Sequence, residues 1–143
     1  MIATMKAMPR VARVMTPFPF AIDATADIAA AWAMMEEHDI RHIPVVRGDE
    51  VLGVVSERDL WRAEAEGRGD IDMAGLAAYQ AYVIEWNTSL EEVAREMSER
   101  KIGSAVVLHE GRLAGIVTTT DMLDYMIRLL ERSGVDNPAE MGG

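Results

Sequence analysis

The chain has 143 residues, half of them apolar and 27% charged, with a net charge of −10 and no cysteine. That length buries one ordinary core, either as a single domain or as two small ones fused face to face. The charge argues against a nucleic-acid backbone or an anionic membrane surface as main partner, and the missing cysteines exclude disulfides and thiolate metal sites.

In chain order, Pro9, Arg10 and Arg13 interrupt any apolar run before Met15, so neither a secretory signal nor a spanning helix is predicted and the cytoplasm is the expected location. Met15–Pro19 is predicted to be extended, because each proline disfavours helix at the residue before it. Phe20–Ile22 reads as a short strand. Ile28, Ala31, Trp32 and Met35 recur at helical spacing within a predicted helix over 25–39. Ile43–Val46 and Val51–Val55 are β-branched runs around a turn at 47–50 and predict a hairpin, followed by a helix over 57–66. Gly67-Arg68-Gly69-Asp70 is the clearest break in the chain. Residues 73–79 read as helical, 81–84 as a strand, and Thr88-Ser89-Leu90-Glu91 as a capping box opening a helix to Arg100. A second hairpin pairs 105–108 with 113–117, a last helix covers 119–132, and 133–143 reads as a tail.

One stretch occurs twice. Gly53-Val54-Val55-Ser56-Glu57-Arg58-Asp59 is matched sixty-two residues later by Gly115-Ile116-Val117-Thr118-Thr119-Thr120-Asp121. The same offset aligns Ile22 with Ile84, Met35 with Met97, Ile40 with Ile102 and Val45 with Val107, which predicts an internal duplication. Each copy reads as β-α-β-β-α, giving repeats at 10–66 and 77–132 with a linker at 67–76. A lone hairpin is not stable, so the two sheets are expected to pack on each other in an α/β (α+β) fold with pseudo-twofold symmetry.

Hydroxyl-x-x-Asp at a helix start is a common capping box, and Ser56 with Asp59 and Thr118 with Asp121 read that way in isolation. The same position also suits a ligand. Free N–H groups at a helix start favour anions, a hydroxyl bonds phosphate, and a short carboxylate accepts a ribose diol.

The doubled Gly-h-h-Ser/Thr-x-x-Asp, preceded by Arg41-His42-Ile43-Pro44-Val45-Val46, resembles the cystathionine-β-synthase (CBS) domain family, whose tandem pairs are called Bateman modules. The resemblance covers roughly residues 10–132. It implies a regulatory module binding adenine nucleotides (AMP, ADP, ATP or a relative) in clefts built from both repeats, with no catalytic cofactor. Carried over residue by residue, one cleft has Thr118, Thr120 and Asp121 facing Thr16, Phe20, Ala21, Ile40, Arg41, His42 and Pro44. The other has Ser56, Arg58 and Asp59 facing Tyr82, Val83, Gly103 and Ser104. Ala78 stands where Thr16 does, Val106 where Pro44 does, and Gly103 and Ser104 where Arg41 and His42 do. Phosphate charge is therefore expected to favour the Asp121 cleft, with Arg41 and His42 as its donors.

His38, His42 and His109 are not expected to share a helical face, so no metal site is predicted. No nucleophile–base constellation with an oxyanion hole or elbow accompanies Ser56, His42 and Asp59, so no enzyme is predicted. Met122, Leu123, Met126, Ile127, Leu129 and Leu130 occupy more than one face of the last helix. This predicts a homodimer through the helices at 57–66 and 119–132, with a regulated protein as a further partner. The alternative is a dimerisation or interaction module whose clefts are vestigial.

Overall fold

A computed structural model of the chain describes residues 7–77 and 82–134. After a 3-10 turn at Val11–Arg13, the first half runs β1 (Thr16–Pro17), β2 (Ile22–Asp23), α1 (Ile28–His38), β3 (His42–Arg47), β4 (Glu50–Ser56) and α2 (Glu57–Ala65). The second runs α3 (Met73–Ala77), β5 (Val83–Glu85), α4 (Leu90–Arg100), β6 (Ser104–His109), β7 (Arg112–Thr118) and α5 (Thr119–Arg132). Both hairpins form as predicted, His42 pairing with Ser56 and Ser104 with Thr118. Gly48 and Gly111 take positive φ in the turns, where a side chain would be strained.

The two first strands are shorter than their sequence suggests. Phe20 and Ala21 stay outside β2, and β5 starts at Val83, with residue 81 outside the described part of the chain. The α1 helix begins at Ile28 rather than at 25 because Asp27 caps it, accepting from the Ala30 N–H at 2.9 Å. In the second repeat the cap is Ser89, accepting from the Glu92 N–H at 3.2 Å, so the predicted box on Thr88 is corrected by one residue. Asp27 and Ser89 lie at the repeat offset.

The strands form two sheets, ordered β2-β3-β4 and β1-β7-β6-β5. They pack face to face through Val54 on one side and Val106 and Ile116 on the other. Each sheet also carries its own core. One holds Ile28, Ala31 and Met35 of α1 against Ile43, Val45 and Val55; the other holds Val93 and Met97 of α4 against Ala105, Val107 and Val117. Burial on both faces explains why β3 and β6 read as continuous apolar runs rather than alternating ones.

The leading segment of each half crosses to the other. Val11 and Val14 are buried in the core of the second repeat, and β1 pairs antiparallel with β7. Reciprocally, Met73, Leu76 and Ala77 of α3 are buried in the core of the first. The anchoring bonds repeat too. Val11 and Ala12 donate to the Thr88 and Trp86 carbonyls at 2.8 and 3.1 Å, and Met73 and Ala74 to those of Ala26 and Ala24 at 3.1 and 2.9 Å. Among the described residues no helix is long and apolar enough to cross a membrane.

Candidate nucleotide-binding clefts

Both hydroxyl-x-x-Asp motifs form complete capping boxes. Ser56 and Thr118 have extended backbones at the N-caps of α2 and α5, and their hydroxyls accept from the Asp59 and Asp121 N–H, each at 3.2 Å. In return, one oxygen of each carboxylate, Oδ2, accepts the cap residue's N–H at 2.8 or 2.9 Å and its hydroxyl at 2.9 or 3.0 Å. The next N–H of each helix, on Glu57 or Thr119, donates to the Arg41 or Gly103 carbonyl at 2.9 or 3.0 Å. The helix starts are thus more self-satisfied than predicted. Of the first turn's N–H groups, those of Arg58 and Thr120 are the ones outside these bonds, so an anion placed there would be met mainly by side chains.

Each box opens onto a cleft between the repeats. The Asp121 cleft, about 640 Å³, brings together Thr16, Phe20, Ile40, Arg41, His42, Thr118, Thr120 and Asp121 of the predicted set. Thr16, 105 positions away, donates its hydroxyl to Asp121 Oδ1 at 3.3 Å. Ala21 is not on this wall, and Pro44 is corrected: it is fully buried in β3, opposite Val54. Phe18 lines the cleft unpredicted, 94% exposed and held at a φ of 49°.

The Asp59 cleft, about 680 Å³, gathers Ser56, Arg58, Asp59, Gly103 and Ser104. Tyr82 and Val83 are not among its lining residues. Tyr82 lies half-buried beneath the Arg100 guanidinium, 5.1 Å from its ring centre, and Val83 is exposed on β5. Ala78, the counterpart of Thr16, lies outside the described residues.

Arg41 and His42 were expected in the Asp121 cleft alone. They line both, as do Gly103 and Thr119, and form a common wall. A Cβ on Gly103, the position matching Arg41, would stand 3.1 Å from His42 Nε2, so a side chain there would crowd the imidazole. Burial pushes the His42 pKa below the ordinary histidine value and Arg41 adds to this, while Asp59, Asp121 and Glu57 pull the other way. Lys101 is also on the Asp59 wall and Asp39 on the Asp121 wall. They sit at the repeat offset, both as left-handed C-caps, with φ of 55° and 52°. Their shared offset was the signal available in the sequence; a helix-end residue outside the motif gave no other.

The three histidines stand apart. His38 stacks on Phe20 with centres 3.6 Å apart, His42 is in the common wall, and His109 meets Trp86 edge-on. Among the described residues no group of three or more His, Asp or Glu side chains is placed to hold a metal ion.

The CBS domain profile matches residues 11–64 and 87–128, well over half of the chain. The chain belongs to the CBS domain family. It is 31% identical over 103 residues to hypoxic response protein 1 of Mycobacterium tuberculosis, spanning 69% of this chain and 72% of that one. Its fold matches that of a putative acetoin utilization protein, AcuB, of Vibrio cholerae with a TM-score of 0.78 at 30% identity, over 92% of this chain and all of that one. A bacterial CNNM/CorC family Mg2+ transporter CBS domain, solved in complex with ATP, matches with a TM-score of 0.70 at 27% identity, over 82% of this chain and 87% of that one. The tandem CBS pair packed sheet to sheet is therefore the fold of this chain.

Proposed function

We propose that this CBS pair is a regulatory module that binds adenine nucleotides in its two inter-repeat clefts and passes occupancy to a partner protein. One observation carries the reading: each capping box leaves a carboxylate oxygen, Oδ1, outside the box's own bonds at a cleft large enough for a nucleotide. In the Asp121 cleft, Thr16 already occupies that oxygen as a ribose hydroxyl would. The ATP complex of the related transporter domain supports a nucleotide as the ligand class. We read the role as regulatory rather than catalytic, and we place it in the cytoplasm.

Assembly is the second part of the proposal. No residue of α5 is buried, and Leu123, Met126, Ile127 and Leu130 are all exposed along it; Trp61 of α2 is 60% exposed. Contiguous apolar exposure of this kind marks an interaction surface, and a homodimer through α2 and α5 would cover it. The alternative, an interaction module with vestigial clefts, draws on the completeness of the capping boxes, which accounts for both aspartates without any ligand. Thermal unfolding with AMP, ADP, ATP and buffer separates the two. A nucleotide at a hundred times its dissociation constant stabilises the fold by about 2.7 kcal/mol. An unmoved midpoint with every nucleotide at millimolar concentration would favour the alternative.

A further inference from the structure

The two clefts share a wall and a motif, but their charges differ. Arg41 serves both. The Asp59 cleft adds Arg58 and Lys101 against Glu57 and Asp59, whereas the Asp121 cleft, among the described residues, adds no cation and carries both Asp39 and Asp121. The largest change lies at the repeat-related pair Asp39 and Lys101, where the same left-handed helix end carries opposite charges. Since most first-turn N–H groups are already bonded, these side chains decide how much phosphate charge each cleft tolerates. Both clefts offer apolar and aromatic surface, from Trp61, Met97 and Ile102 in the Asp59 cleft and from Pro17, Phe18 and Phe20 in the Asp121 cleft, so charge is what separates them. Such surface receives a base by stacking and is indifferent to phosphate.

We infer that the Asp59 cleft is the polyphosphate site, with Lys101 as its specificity-determining residue, and that the Asp121 cleft takes an uncharged nucleoside. This reverses the order expected from sequence, where Arg41 was credited to the Asp121 cleft alone. It rests on the nucleotide reading above.

The test isolates each cleft with Asp121→Ala or Asp59→Ala and measures ATP and adenosine affinity by calorimetry. ATP should outbind adenosine where only the Asp59 cleft is intact, and not where only the Asp121 cleft is. Lys101→Asp should then weaken ATP in the Asp59 cleft by about tenfold, the effect of losing one charge-assisted contact, and leave adenosine within about twofold. Asp39→Lys should strengthen ATP in the Asp121 cleft. Both exchanges suit the backbone, since each residue already occupies that conformation in the other repeat. Lys101→Gln should give a smaller loss of the same kind. Equal ATP-to-adenosine ratios in the two clefts, or a Lys101 effect that falls on both ligands alike, would overturn this inference and leave the nucleotide reading standing. Failure of the unsubstituted chain to bind any nucleotide would overturn both.

Discussion

Replacing Asp121 by alanine removes two functions at once, and the structure allows them to be separated. Oδ2 closes the capping box of α5, accepting the Thr118 N–H and hydroxyl at 2.9 and 3.0 Å. Losing a cap costs about 0.5–2 kcal/mol, and each kcal/mol lowers the melting midpoint by a few degrees in a domain of this size. No residue of α5 is fully buried, and Met122 and Tyr125 are its side chains packed on the second repeat's core, so the cap and these contacts together hold its first turns. Oδ1 faces the cleft, where its hydrogen bonds to a ribose would contribute about 1.5–3 kcal/mol, roughly ten- to hundredfold in affinity. Asp121→Asn keeps an acceptor for the cap but loses the charge, so it should regain most of the stability and only part of the affinity. The assay is thermal unfolding of the free protein beside calorimetric titration with adenosine and AMP. If Asp121→Ala lowers the midpoint yet binds as tightly as the unsubstituted chain, the carboxylate is a cap alone and its ribose role is wrong.

Leu123→Glu with Met126→Glu puts charge on the exposed apolar face of α5 and should convert the proposed dimer to monomer by light scattering. A monomeric unsubstituted chain at tens of micromolar, an estimate from ordinary dimer affinities, would end the dimer reading. His42 favours its neutral form in the fold, so the unfolded chain takes up a proton first as pH falls below about 6.5. Stability should be flat above that pH and decline below it, and His42→Gln should remove part of the decline in urea unfolding at pH 5.5 against 7.5. A bound phosphate beside His42 would raise its pKa, so phosphate-bearing ligands should bind more tightly toward acid pH; a flat profile would place the phosphates elsewhere.

The hairpins, the helices and the duplication were legible because they rest on long periodic runs and on a register that any slip would have broken. The β1 pairing was not. Two residues carry no periodicity, and nothing in Thr16–Pro17 says that β7 of the other repeat is its neighbour. The linker misled for a related reason. Glycines at 67 and 69 follow the end of α2, but Met73–Ala77 is apolar for the sake of the first repeat's core rather than the second's. In the clefts, the motif residues were found through the repeat and the family pattern. Pro44 was carried over with its strand although its ring points into packed interior. The sharing of Arg41 and His42 was invisible because a linear motif assigns a residue to one partner only. Lys101 and Asp39 escaped because their place on the walls comes from a left-handed helix end, a feature of φ rather than of composition.

The reciprocal crossing of the leading segments changes what counts as a part. Val11 completes one core from the far side of the chain, and Met73 completes the other. Cutting at Gly67–Gly69 would therefore yield two pieces, each lacking a plug that the other carries. Neither piece would be a free-standing unit, yet mixed together they would supply each other's missing side chains and re-form both clefts. The halves are laced rather than tethered.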